Sequence, residues 1–299
     1  MPSDGALEVG IGDDAAVVRV PDGRVVATTD LLVEGRHFRC DWSGPADIGA
    51  KAAAQNLADV AAMGAIPRTI LVGLACPGDL AVDWVLDMMS GIVAECGRTR
   101  ASIAGGDVTA ADTIMLGITA LGELDGRKAV TRAGARPGDQ VAVCGRLGWS
   151  ATGLALLEAG QSDESDPDVA ALVAAHRRPQ PPYDAGPAAA VAGATAMIDV
   201  SDGLLADLGH VAEASGVSID IQMESVPVDT EVLAGARLLE ADPVDWILTG
   251  GEDHALAATF PSGSALPAGW QAIGSVREGS GVTVDGAARN GPLGWDHFR

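Results

Sequence analysis

Ala196-Met197-Ile198-Asp199-Val200-Ser201-Asp202-Gly203-Leu204 is an apolar run that ends in an acid, passes through a Ser-Asp-Gly turn and enters a segment of helical period over 204–214. A strand that yields to a helix through such a turn is the repeating unit of α/β folds. Acids at the end of such a strand sit where a rigid sheet positions the loops. The alternation continues along the chain. Val25-Val26-Ala27-Thr28-Thr29 and Thr113-Ile114-Met115-Leu116-Gly117-Ile118 are rich in β-formers, while 47–63 and 82–96 are Ala, Leu and Met segments of helical period. The turn at 134–139 precedes a new strand at 140–144, and 145–150 lead into a helix over 151–159. The expected fold is therefore α/β (α+β), in two nearly equal domains, 1–135 and 136–299. The acidic, Ser-rich 161–168 and the four-proline stretch 178–187 read as loops around a short helix at 169–176, and the chain from 247 onward reads as strands and turns.

Composition limits the function. At 299 residues and 47% hydrophobic, the chain is long enough for two domains of about 150 residues each with proper cores. With 19 Lys and Arg against 41 Asp and Glu, the formal charge of -22 repels a phosphate backbone, so no nucleic-acid partner is expected. Mean hydropathy is +0.22, yet no run of 18 apolar residues occurs, so no membrane span is expected either. The start, Met1-Pro2-Ser3-Asp4-Gly5, lacks a basic segment followed by an apolar one, and the expected compartment is the cytoplasm. Cys40, Cys76, Cys96 and Cys144 are widely spaced, without a C-x-x-C, and read as reduced thiols rather than a disulfide or zinc framework.

The acids carry the chemistry. Six times an acid stands beside Gly, Ser, Thr or Asn: Gly12-Asp13-Asp14, Thr28-Thr29-Asp30, Asn56-Leu57-Ala58-Asp59, Gly105-Gly106-Asp107, Asp199-Val200-Ser201-Asp202-Gly203 and Gly250-Gly251-Glu252-Asp253. Any one of these is also what a turn or a helix cap looks like, and Asp202 fits a cap ahead of 204–214. Their joint occurrence points to carboxylates converging on cations, because without cations they repel one another and resist ionisation. An all-oxygen set without Cys or His suits Mg²⁺. Asn56 and Asp59, three residues apart, share a helix face, with Lys51 at a wider angle.

Of the histidines, His210 and His254 read as isolated packed or surface residues, while His37 in Gly35-Arg36-His37-Phe38 stands just past the Thr28-Thr29-Asp30 cluster. Arg132 suits either a bidentate phosphate contact or an ordinary surface role. Trp295 is either a core anchor or a stacking platform, in a chain with few aromatics. No G-x-x-x-x-G-K-[ST], complete G-x-G-x-x-G or G-x-S-x-G occurs, so a nucleotide would be held through metal, and a covalent protein nucleophile has no support. Metal-assisted transfer fits best.

The ordered blocks resemble the thiamine-monophosphate kinase family, within the superfamily that includes aminoimidazole ribonucleotide synthetase and selenophosphate synthetase. The resemblance rests on Gly10 to Ala16, Thr28-Thr29-Asp30 with Gly35-Arg36-His37-Phe38, Lys51 to Ala65, Gly105-Gly106-Asp107, Thr131-Arg132-Ala133-Gly134, Ile198 to Leu204 and Gly250-Gly251-Glu252-Asp253, and it spans nearly the whole chain. It implies Mg²⁺-assisted, direct in-line transfer of the ATP γ-phosphoryl group to thiamine monophosphate, giving thiamine diphosphate, the last step in making that coenzyme. It further implies that several Mg²⁺ ions are held by Asp14, Thr28, Thr29, Asp30, Asp59, Asp107, Asp199 and Asp202. ATP would be contacted by Gly106, Asp107, Arg132 and Ser201, and the thiamine moiety by His37, Glu252 and Trp295.

In architecture, the resemblance implies an N-terminal ATP- and Mg²⁺-binding domain with a mixed sheet through which two copies dimerise, a C-terminal α/β domain, and a homodimer with sites between domains. It also implies a helix-containing stretch ahead of the Gly-Asp-Asp block, where eleven residues precede Gly12 here. Two other functions fit the same motifs: an ATP-dependent synthetase of the same superfamily that releases free phosphate, and a Mg²⁺-nucleotide-binding module without turnover.

Overall fold

A computed structural model describes residues 7–9, 17–289 and 291–295. The chain divides into two compact units, one made of Met1–Ala61 and Ala65–Arg127, the other of Ala62–Gly64 and Lys128–Arg299.

In the first unit, β1 (Leu7–Val9) and β2 (Val17–Val18) form a small antiparallel pair. They are followed by β3 (Val26–Val33), α1 (Pro45–Ala62), β4 (Ile66–Cys76), α2 (Val82–Thr99), β5 (Ser102–Ala110) and β6 (Met115–Glu123). The last four strands make one sheet in the order β3-β6-β4-β5, antiparallel except for the β4–β5 pair. That parallel pair is joined through α2, as a crossover requires. Strand period decides what faces where. On β3, Thr28, Asp30 and the fully buried Leu32 point to one face, while Thr29 and Leu31 point to the other, which is open. The open face runs on through Thr119 and Leu71, both in register with Thr29, and through Gly117 and Gly73, in register with Leu31. Helix α1 is buried nearly all round: Ala52, Ala53, Ala54, Leu57, Ala58 and Val60 are each 0% exposed. Small side chains let it be covered on every side.

In the second unit the order is β7 (Gln140–Cys144), α3 (Trp149–Glu158), α4 (Pro167–Arg177), α5 (Ala185–Val191), β8 (Ala196–Val200), α6 (Leu204–Ser215), β9 (Ser218–Ile221), α7 (Thr230–Leu239), α8 (Pro243–Thr249), β10 (Ala255–Phe260), β11 (Gln271–Arg277) and β12 (Gly281–Val284). The sheet order is β12-β9-β11-β7-β10-β8, with β12–β9 its one parallel pair among the described residues. Leu256, Ala258 and Phe260 alternate along β10 onto one face. There they join Ala142, Cys144, Met197 and Trp270 in a core that α5 covers. The Phe260 and Trp270 rings meet edge to face at 5.4 Å, a contact worth about 1 kcal/mol beyond burial alone. Because β10 runs antiparallel to both β7 and β8, the C-terminal ends of those two strands lie beside its start, at Cys144–Leu256 and Val200–Ala255.

Two elements differ from the sequence expectation. The four-proline stretch is not all loop, since α5 begins within it and carries Pro187 in its first turn. First-turn N–H groups have no partner within the helix, so proline costs nothing there. The stretch from 247 onward opens with the end of α8, whose start is capped by the Asp242 carboxylate accepting the Val244 N–H.

Candidate functional site

In the first unit, β3 and α1 are tied by side chains. Thr28 Oγ1 donates to Asp59 Oδ2 at 2.8 Å, and the Asp30 N–H donates to Asn56 Oδ1 at 2.9 Å. Asn56 is fully buried and spends its amide N–H on the Ala52 carbonyl, so its oxygen can only face the strand. The three-residue spacing of Asn56 and Asp59 thus sets both beside the Thr28 and Asp30 face. Thr29 is not brought to them: it lies on the open face and donates to the Ile118 carbonyl. His37 stands in a tight turn, its Nδ1 accepting the Val33 N–H at 3.0 Å, which leaves the ring proton on Nε2. Lys51, 3% exposed, donates to the His37 carbonyl and anchors that turn on α1. Gly106 and Asp107 lie on exposed β5. A Cβ at Gly106 would stand 1.8 Å from the Val72 carbonyl oxygen, so no side chain fits where β4 and β5 touch. Asp13 and Asp14 lie outside the described residues.

In the second unit, three loop segments meet where β8 ends and β10 begins. The Glu252 N–H donates to the Ser201 carbonyl at 2.8 Å, the His254 N–H to the Val200 carbonyl at 3.0 Å, and the Trp295 N–H to the Asp202 carbonyl at 2.8 Å. Ser201, Asp202, Glu252 and Trp295 are therefore neighbours, and Trp295 is 60% exposed rather than a core anchor. A Cβ at Gly251 would fall 2.2 Å from the Ser201 oxygen, so the 201–203 and 250–252 loops touch backbone to backbone. Glu252 and His254 hold left-handed backbone, φ 65 and 52. That conformation is costly for residues with a Cβ and tends to persist where function needs it. Arg132 is exposed, in a loop whose carbonyl accepts the Ser215 hydroxyl at 3.0 Å.

Asp199 is 5% exposed, and its Oδ2 lies 3.2 Å from His254 Nδ1. His254 is thus packed, as expected, but against an acid 55 residues away. Asp202 does not carry the carboxylate that closes the start of α6. Asp207 Oδ2 accepts the N–H groups of Ser201, Asp202 and Gly203 at 3.0, 3.1 and 3.1 Å. Burial, and then the nearby charges of Asp199 and Asp202, push the Asp207 carboxyl up to about 7. Sequence reading missed Asp207, although an acid in a helix's first turn was a visible signal. It also missed His176 and Ser150. Burial likewise pushes Asp253 up to about 7, while its Oδ1 accepts the Ser150 N–H at 2.8 Å.

Among the described residues no three His, Cys, Asp or Glu side chains close into a metal-holding group. The donors are nonetheless hard oxygens, and the like charges of Asp199, Asp202 and Asp207 crowd the passage from β8 into α6. This set fits Mg²⁺, which takes one or two carboxylates and fills its remaining positions with water and substrate phosphate.

Fold and site together define a two-domain protein of the AIR synthase related class. Its N-terminal domain model matches residues 12–124 and its C-terminal domain model matches 136–266. The chain is 48% identical to the thiamine-monophosphate kinase of Mycobacterium tuberculosis over 97% of this chain and 86% of that protein. It is 42% identical to that of Corynebacterium glutamicum, over 96% and 88%. A solved structure of AaThiL complexed with AMPPCP and TMP superposes with a TM-score of 0.87 at 37% identity, covering 96% of this chain and 92% of the other. The chain belongs to the thiamine-monophosphate kinase family.

Proposed function

We propose that this chain transfers the γ-phosphoryl group of ATP to the phosphate of thiamine monophosphate, giving thiamine diphosphate and ADP. The observation that carries the reading is the Ser201, Asp202, Glu252 and Trp295 cluster, held by backbone bonds with Glu252 in left-handed conformation, in a chain of the kinase family. Support also comes from the AaThiL structure, which is complexed with an ATP analogue and TMP.

The acceptor phosphate is already ionised and needs no strong base, so the side chains have mainly to align two anions and neutralise them. Mg²⁺, when bound, offsets the negative charge on the transferring phosphoryl oxygens. For several such ions, Thr28, Asp30 and Asp59 would be ligands in the first unit, with Asp14 and Asp107 as further ones, and Asp199 and Asp202 would be ligands in the second; Thr29, turned to the open face, is left out. Gly106, Arg132 and Ser201 would contact ATP. The exposed Trp295 indole and the Glu252 carboxylate suit the aromatic, cationic thiamine, the indole through its ring face, with His37 offering its Nε2 proton.

Residues 1–135 would form the nucleotide- and Mg²⁺-binding domain and 136–299 the second domain. The exposed Leu31 and Leu71 side chains on the open sheet face of the first unit fit a second copy of this chain, making a homodimer. Among the described residues no helix is long and apolar enough to cross a membrane. The test is ADP formation by the purified protein with ATP and Mg²⁺, comparing thiamine monophosphate, thiamine and no acceptor. Stimulation by thiamine monophosphate alone is expected, and ADP formation that ignores the acceptor refutes the reading.

A further inference from the structure

Helices α3 and α4 cross where Gly153 leaves room: a Cβ there would fall 2.1 Å from the Leu172 carbonyl oxygen and 3.1 Å from His176 Cβ. One turn along each helix from that crossing, His176 meets Ser150, its Nδ1 3.1 Å from Ser150 Oγ. The same Nδ1 lies 3.5 Å from Glu252 Oε2. Ser150 is held in turn by Asp253, which takes its backbone N–H. The ring of His176 is 5% exposed, whereas the Glu252 side chain is about one-third exposed. The carboxylate therefore has an anchored, buried side and an open one. A carboxylate only accepts, so the contact is favourable with the proton on Nδ1.

We propose that His176 is a positioning residue, fixing the Glu252 carboxylate from behind so that its open side meets the thiamine moiety. This rests on the reading of Glu252 as a substrate contact. The backbone of Glu252 is already set by φ 65 and its bond to Ser201, so what His176 adds is the direction of the side chain. Misdirecting that carboxylate weakens substrate binding without touching ATP.

The experiment is steady-state kinetics on the full chain. His176→Leu is expected to raise KM for thiamine monophosphate about tenfold, equivalent to about 1.4 kcal/mol, with KM for ATP within about twofold. His176→Asn, whose amide N–H stands where Nδ1 does, is expected to restore KM to within about threefold of the wild type. His176→Leu combined with Glu252→Gln is expected to be no worse than Glu252→Gln alone. Equal effects on both substrates, an unrescued Asn variant or multiplying effects in the double variant overturn the proposal. Should His176→Leu not fold, His176→Gln replaces it: its amide stands near Nε2, so a raised KM is expected, and Gln and Asn variants alike in KM overturn the proposal. A Glu252→Gln variant with unchanged KM overturns the reading of Glu252 beneath it. An effect of Glu252→Gln with none from His176→Leu overturns the positioning role alone.

Discussion

Thr28 Oγ1 lies 2.8 Å from Asp59 Oδ2 and donates to it, joining strand β3 to helix α1 across 31 residues of sequence. Its proton is committed to Asp59, so the hydroxyl keeps its lone pairs for a cation. Thr28→Val, which preserves shape and removes both, is expected to raise the Mg²⁺ concentration for half-maximal rate by about three- to tenfold, in keeping with about 1 kcal/mol for a hydrogen bond. A Mg²⁺ titration of the rate checks this, and an unchanged midpoint denies Thr28 a part in holding the metal.

Asp30→Asn keeps volume and leaves the backbone N–H that Asn56 accepts. Loss of one anionic ligand is expected to lower kcat about 100-fold or more, while thermal unfolding stays within about 2 °C of the wild type. Near-wild-type turnover contradicts the ligand assignment.

Gly251→Ala places a methyl group 2.2 Å from the Ser201 oxygen, in backbone that cannot yield as a side chain does. Overpacking of this kind costs about 1–3 kcal/mol, and urea unfolding is expected to show it as a lower midpoint with an unchanged slope. Unchanged stability shows that the two loops do not touch as described.

Asp253 has its folded pKa raised from 3.8 to about 7 by burial. The native state therefore holds a proton that the unfolded chain releases, and this group's contribution to stability falls as pH rises from about 4 to about 7, the cost being complete above that. Asp253→Asn accepts the same Ser150 N–H without ionising. It is expected to be more stable than the wild type at pH 8, by an amount on the order of 4 kcal/mol, and to lose most of that advantage at pH 4. Thermal melts at the two values decide it, and a pH-independent difference rules out ionisation as the cause.

The strand and turn of the sequence around Asp199 are present in the fold, and 204–214 falls within helix α6, because local pattern and burial agree there. The pairing of Asn56 and Asp59 on one face follows from helical spacing alone. The split of Thr29 from Thr28 and Asp30 was equally available from the two-residue period of a strand, although the motif reads as one block. Other parts were not legible. His254 reads as isolated until the sheet brings Asp199 beside it. His176 carries no local signal, since its place beside Glu252 is set by a helix crossing at Gly153. Asp207 shows in the sequence as an acid in a helix's first turn, but its three backbone bonds exist only because the Ser201 to Gly203 turn folds back over it.

The most direct measurement of the central claim is product analysis. Purified protein is incubated with ATP, Mg²⁺ and thiamine monophosphate, and the products are separated by ion-exchange chromatography and quantified. The account predicts thiamine diphosphate and ADP in equal amounts, abolished by chelating the Mg²⁺. ADP accompanied by free phosphate, or no product at all, would contradict it.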